Sequence, residues 1–63
     1  MIKHIIKTGD IIYMLNKAHE DLIHQVDTKQ HIYAANTLGR IEEMGVALQK
    51  ISQLALEELR ANV

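Results

Sequence analysis

The sequence of 63 residues contains no cysteine, proline, tryptophan or phenylalanine, and only two tyrosines. Without cysteine the chain has neither disulfides nor thiolate metal ligands, which support many very small domains. A chain of this length buries only about 60% of the surface that it exposes when unfolded, so an isolated monomer is marginally stable. Oligomerisation is the remaining route to a stable fold, and we expect a self-associating chain.

The charges are few and balanced, with seven Lys and Arg, eight Asp and Glu, and a formal net charge of -1. Nonspecific binding to nucleic acid requires a concentrated basic surface, which this interspersed pattern does not provide. No run of about 20 apolar residues occurs, so the sequence predicts no transmembrane helix. Because 48% of the residues are hydrophobic, we expect the chain to be ordered by itself or to fold on a partner. These features predict an ordered cytoplasmic protein without membrane association.

Apolar residues recur every three or four positions in the first half of the chain, which is the period of an amphipathic helix. The members of this repeat, including one histidine in the same spacing, are Ile12, Leu15, His19, Leu22 and Val26. Neighbouring apolar residues widen the stripe, and these are Ile11, Ala18 and Ile23. The pattern predicts a first helix over 10–26, preceded by a loose or helical lead-in over 1–9. The alternative for 1–9 is a β-strand that turns at 7–10 and pairs with a returning strand over 11–13.

Asp27 and Gln30 have the spacing of a loose capping box, which predicts the start of a second helix. Only two glycines interrupt the helical pattern that follows, and we expect this helix over 28–61. Its apolar face is predicted to consist of Leu38, Ile41, Leu48, Ala55 and Leu59, flanked by Met44 and Ile51. The whole chain, 1–63, is therefore predicted to be one all-α domain, an antiparallel two-helix hairpin with a longer second helix.

Two other arrangements are compatible with the sequence. One is a single helix of about 50 residues, because the apolar period continues across the polar positions Gln30 and Thr37. The other is a three-helix chain with a second break at Gly39. The cap predicted at Asp27 favours the hairpin over both.

Small residues are frequent in the part of the second helix that the first helix would cover, and these are Ala34, Ala35, Gly39 and Gly45. Glycine inside a helix costs about 1 kcal/mol relative to alanine, so two glycines suggest a structural purpose. We expect the two helix backbones to approach each other closely at these positions.

The two predicted helices differ in length, about 25 Å against about 50 Å at the rise of an α-helix. The shorter helix would leave the distal half of the longer one uncovered, and exposed apolar surface of this size is typical of an interface. We therefore expect a two-fold dimer that forms a four-helix bundle. The residues expected in this self-association interface are Leu48, Ile51, Leu54, Ala55, Leu56 and Leu59.

The polar residues do not form a catalytic or metal-binding motif. His19 and His24 lie five positions apart, whereas a zinc-binding helix needs a spacing of four to place both imidazoles on one face. A second possible metal-binding group near the predicted helix turn consists of Glu20, His24, Asp27 and His31. It lacks the surrounding residues that normally orient metal ligands. Ser52 has no arrangement of a base and an oxyanion hole around it. We expect no enzymatic activity, no cofactor and no bound metal.

His19 occupies a position in the apolar repeat between Leu15 and Leu22, so we expect its side chain to be partly buried. Protonation of a buried imidazole loosens the interface that surrounds it. A dimer that buries His19 would accordingly weaken between about pH 7 and about pH 5.

These features predict a small non-enzymatic interaction protein, of the size of many bacterial and phage regulators, that self-associates and acts as a regulator, inhibitor or adaptor of a partner protein. Interfaces favour Tyr, Met and Arg, and the candidate partner surface is Tyr13, Met14, Tyr33, Arg40 and Met44. The alternative is a dimeric four-helix regulator that binds RNA or DNA, similar in architecture to RNA-binding bundles but without a shared residue pattern. It is favoured by lysines in the first half, which are Lys3, Lys7, Lys17 and Lys29.

Overall fold

The structure, a computed structural model, describes residues 3–61. It consists of two helices, α1 (Lys3–Asp27) and α2 (His31–Ala61), which pack against each other along their length. The resulting antiparallel hairpin is a flat rod with dimensions of 50 × 15 × 10 Å. The prediction of an all-α hairpin is confirmed. The single long helix and the three-helix chain are both wrong, because the chain reverses after Asp27 and α2 continues through Gly39.

The first helix begins at Lys3 instead of residue 10, so residues 3–9 form its first turns and not a separate lead-in. Helix α1 has 25 residues and α2 has 31, which correspond to about 37 Å and about 46 Å. The second helix is longer, as predicted, but the uncovered distal half is absent. Gly9 costs only about 1 kcal/mol within a helix, and the nearby His4 and Thr8 are half-buried.

The turn between the helices is a Schellman motif with a lysine in the left-handed position. The Gln30 amide donates to the Gln25 carbonyl at 2.8 Å, and the Lys29 amide donates to the Val26 carbonyl at 3.1 Å. Lys29 has a φ of 60°, a conformation that glycine most often supplies at this position. The two bonds satisfy carbonyls of the last turn of α1, which would otherwise lack partners.

The capping box predicted at Asp27 is wrong, because Asp27 is the last residue of α1. The second helix starts at His31, and the carbonyl of Gln30 accepts a hydrogen bond from the Ala34 amide at 2.9 Å. The Gln30 side-chain amide donates to Thr28 Oγ1 at 2.7 Å. Gln30 therefore reaches back, as a capping residue does, but it bonds a side chain within the turn.

Each helix contacts the other through residues spaced by alternating steps of three and four. All buried and half-buried residues of α1 belong to this repeat, and they are His4, Thr8, Ile11, Leu15, Ala18, Leu22 and Gln25. The same is true of α2, where they are Ala34, Thr37, Ile41, Met44, Leu48, Ile51, Ala55 and Glu58. These are the a and d positions of a heptad repeat. We call them the inner face.

Two polar contacts at opposite ends of the hairpin define the register of the inner face. Near the turn, Thr37 Oγ1 donates to Gln25 Oε1 at 2.7 Å. At the open end, the imidazole of His4 contacts the carboxylate of Glu58. This register places small residues of one helix opposite larger residues of the other, such as Ala18 opposite Met44.

The core between the helices is built from small side chains. Ala18 is 3% exposed, and Ala34 and Ala55 are each 6% exposed. No large side chain within residues 3–61 is fully buried. Ala34 is buried between the helices as predicted, but Ala35 is exposed, and the predicted close contacts at the glycines are wrong, since a Cβ placed on Gly39 or Gly45 meets nothing within 4 Å. The apolar area buried inside one hairpin is therefore limited.

Candidate interaction surface

The apolar repeat predicted for α1 lies partly outside the inner face. Leu15 and Leu22 are on the inner face, whereas Ile12, His19 and Val26 occupy the adjacent e position of the heptad and are exposed. The prediction that His19 is partly buried is wrong for the single hairpin, because the imidazole lies beside the helix contact. Only a contact with another molecule can bury His19, and a pH-sensitive assembly stays a prediction.

The same displacement occurs in α2. Ile41, Leu48 and Ala55 lie on the inner face as predicted, but Leu38 and Leu59 occupy e positions and are exposed. In an antiparallel pair, reversal of one helix brings the e positions of both helices to one side of the inner face and the g positions to the other. The hairpin thus has two broad flanks of different composition.

One flank, formed by the b and e positions of both helices, is apolar. It carries half of the exposed large apolar side chains of the described residues, and these are Ile5, Ile12, Ile23, Val26, Leu38, Leu56 and Leu59. The remaining positions are small or polar, and these are Gly9, Asn16, His19, Ala35, Glu42, Gly45, Gln49 and Ser52. Within residues 3–61, Glu42 is the only Asp, Glu, Lys or Arg of this surface, which we call the apolar flank.

The opposite flank, formed by the c and g positions, is charged. Its ionisable residues are Lys3, Lys7, Asp10, Lys17, Asp21, His24, Arg40, Glu43, Lys50 and Glu57. The two signs alternate along both helices, so the basic residues of the first half are interspersed with carboxylates. We call this surface the charged flank. Its balanced charge does not resemble the basic stripe that binding to a phosphate backbone requires.

The residues predicted for self-association are distributed over three surfaces. Three of them lie on the inner face, and these are Leu48, Ile51 and Ala55. Leu54 lies on the charged flank, whereas Leu56 and Leu59 lie on the apolar flank and are both exposed. Because α1 extends to Lys3, it covers the part of α2 that the prediction left open, and the six residues do not form one surface.

The residues predicted for a partner surface are also separated. Met14, Tyr33 and Arg40 are exposed on the charged flank, between the middle of the rod and the turn. Tyr13 points outward from α1, opposite the inner face, and is 67% exposed. Met44 is half-buried on the inner face and is not available to a partner.

The described residues contain few features that suit small-molecule chemistry. A depression of about 330 Å³ beside the turn is lined by the consecutive residues 29–33, without a contribution from a second element. Within 3–61, no three His, Asp or Glu side chains are grouped so that they could hold a metal ion. Over the same range, neither helix combines the length and the hydropathy of a membrane span.

Comparison with known proteins finds no matching family model, no matching curated protein and no matching solved structure. The apolar flank itself was not predicted as one surface. The signal that could have revealed it is a seven-residue repeat in α1, since Ile5, Ile12, His19 and Val26 share one heptad position.

Proposed function

We propose that this chain is a small non-enzymatic interaction protein of the cytoplasm, which self-associates into a four-helix bundle and acts as a regulator, inhibitor or adaptor of a partner protein. The observation that supports the proposal is the contrast between a small core and a large exposed apolar surface. Only three alanines and one threonine are buried within residues 3–61, while many isoleucine, leucine and valine side chains are exposed.

Association with a second molecule would bury these exposed apolar side chains. Each large apolar side chain that is half exposed contributes about 1 kcal/mol when the rest of its surface is removed from water. Small chains without disulfides or metals commonly depend on such contacts for stability. The basis for self-association is therefore the exposed apolar side chains, and not the difference in length between the two helices.

The charged flank is the surface that we propose for a different partner protein. It carries Met14, Tyr33 and Arg40 among charges of both signs, and residues of these types contribute strongly to interfaces. Mixed charges also suit recognition of a complementary protein surface, where electrostatics governs specificity and association rate.

The proposal is tested by affinity capture of a partner from the cytosol of the native host, with a tagged chain and variants of its two tyrosines. Tyr33 is 62% exposed on the charged flank and Tyr13 is 67% exposed outside it, which makes them a matched pair. We expect the Tyr33→Ala variant to lose the captured protein and Tyr13→Ala to retain it.

Two results would contradict the proposal. One is a chain that captures no protein above the background of an untagged control. The other is binding of RNA or DNA at about 50 mM salt that weakens as salt is raised, which would replace the proposal with the nucleic-acid alternative.

A further inference from the structure

We infer that the apolar flank is the surface through which two copies of this chain associate. The inference rests on the self-association proposed above and assigns it to one face of the hairpin. Three observations select a second copy as the occupant: the area of the flank, its lack of charge, and the distribution of apolar groups along it.

The flank has the area of a stable dimer interface. The broad side of the rod measures 50 × 15 Å between Cα positions. This corresponds to about 750 Å², close to the roughly 800 Å² that each partner buries in a standard protein interface. A second hairpin laid on this side therefore covers a surface of sufficient size without any additional element.

The charges exclude the other broad side of the hairpin. The apolar flank carries Glu42 as its one formal charge within residues 3–61, so two copies meet there with little repulsion or desolvation of charge. Two charged flanks in contact would bury lysine, arginine, aspartate and glutamate side chains, and each buried ion costs several kcal/mol unless it is well paired. The second copy is thus expected on the apolar flank.

The apolar side chains form two groups at the opposite ends of the flank. The register defined by the Thr37–Gln25 and His4–Glu58 contacts assigns one group to the open end and one to the turn. The open-end group is Ile5, Leu56 and Leu59, the group near the turn is Ile23, Val26, Ala35 and Leu38, and Ile12 lies closer to the middle of the flank. A two-fold axis across the midpoint of the flank places the open-end group on the turn group of the second copy and Ile12 beside His19, and each contact then occurs twice, as in an isologous interface.

The test compares two double variants with the same chemistry. Ile12→Lys with Val26→Lys alters the apolar flank, where these side chains are 47% and 51% exposed. The matched control, Ile6→Lys with Val46→Lys, alters the outward sides of the helices, where the side chains are 51% and 54% exposed. Both variants gain the same charge and exchange the same residue types. Sedimentation equilibrium over the micromolar range gives the mass, and circular dichroism gives the helix content.

We expect the wild-type chain and the control variant to be dimers, and the flank variant to be a monomer with a dissociation constant raised about 100-fold or more. A flank variant that loses helix as well as dimer, while the control keeps both, supports the same conclusion. The reason is that the substituted side chains are about equally exposed in the single hairpin.

A second pair of variants tests the same assignment at positions other than Ile12 and Val26. Leu59→Lys on the apolar flank should weaken the dimer, and Leu54→Lys on the charged flank should not, although the two leucines are 42% and 41% exposed. A dimer that survives both flank substitutions, or one that only the controls dissociate, overturns the assignment of the interface. A wild-type chain that is a folded monomer over the whole concentration range overturns self-association itself. That result leaves the capture of a partner protein through Tyr33 unaffected, because the capture experiment measures it separately.

Discussion

The hydroxyl of Thr37 donates a hydrogen bond across the two helices to the side-chain carbonyl of Gln25, at 2.7 Å. Thr37 is 4% exposed, and the bond is part-buried within the inner face. Polar residues at such heptad positions reduce stability but specify the register. A shift of one helix along the other would leave the Thr37 and Gln25 groups without partners, and a buried unpaired group costs about 1–3 kcal/mol.

Replacement of Thr37 by valine tests this role. We expect Thr37→Val to lower the free energy of unfolding by about 1 kcal/mol, because Gln25 Oε1 loses its donor. Adding Gln25→Leu should restore part of the loss, since the unpaired amide is then removed. Urea denaturation at a fixed protein concentration measures both changes. The control is Thr8→Val, whose hydroxyl bonds to the Ile5 carbonyl of its own helix at 2.5 Å; a loss equal to that of Thr37→Val would contradict the cross-helix role.

Lys29 is held in a left-handed conformation with a φ of 60°, which costs a residue with a Cβ about 1–2 kcal/mol. Lys29→Gly should therefore raise the free energy of unfolding by about 1 kcal/mol, after allowance for the greater freedom of glycine in the unfolded chain. Thermal and urea unfolding provide the measurement. Lys29→Ala removes the charge and keeps the strain, so it should show no such gain; equal stabilisation by alanine would point to charge instead.

Gly39 lies inside α2 on the side away from both flanks, and a Cβ placed there meets nothing within 4 Å. Gly39→Ala should stabilise the protein by about 1 kcal/mol, because alanine has the higher helix propensity and no clash opposes it. The reverse change at Ala47, which is exposed inside α2 and lies outside the apolar flank, to glycine, should destabilise by a similar amount. A destabilised Gly39→Ala variant would show that this side of the helix is covered by another molecule.

Ala18 is 3% exposed and lies opposite Met44 in the register of the inner face. Enlarging it in Ala18→Leu should cost about 2 kcal/mol, because the helices must separate or the neighbouring side chains must leave their preferred rotamers. Ala47→Leu on the exposed charged flank should change stability by no more than about 0.5 kcal/mol. Both are compared by urea denaturation at one protein concentration, since dimerisation makes stability depend on it. Equal effects would mean that the two helices do not pack closely at Ala18.

The helices could be predicted because their signals are local, and the break near Asp27 was predicted at the right place although the capping box behind that prediction does not form. The three-to-four spacing of Leu15 and Leu22, and of Ile41 and Leu48, defines helices without knowledge of the fold. The start of α1 at Lys3 could not be predicted in this way. His4 gains its contact with Glu58 only once α2 lies beside it, and Gly9 gives no local support for a helix because of its low helix propensity.

The candidate surfaces were harder to predict, because each helix has two apolar repeats offset by one position. In α1, Ile11 and Ala18 belong to one repeat, and Ile12 and Val26 belong to the other. Periodicity along one chain gives both repeats similar weight. It therefore could not show whether His19 faces the second helix or the surrounding solvent.

The sequence alone specifies two amphipathic helices, a break near Asp27 and a surplus of apolar residues, because period, the polar interruption of that period and composition are properties of neighbouring residues. Only the packing of α1 against α2 selects which repeat faces inward. The repeat that faces inward has small residues at its most buried positions, Ala18, Ala34 and Ala55. The second repeat, with Ile12 and Val26, remains on one outer side, and the apolar flank exists because of that choice.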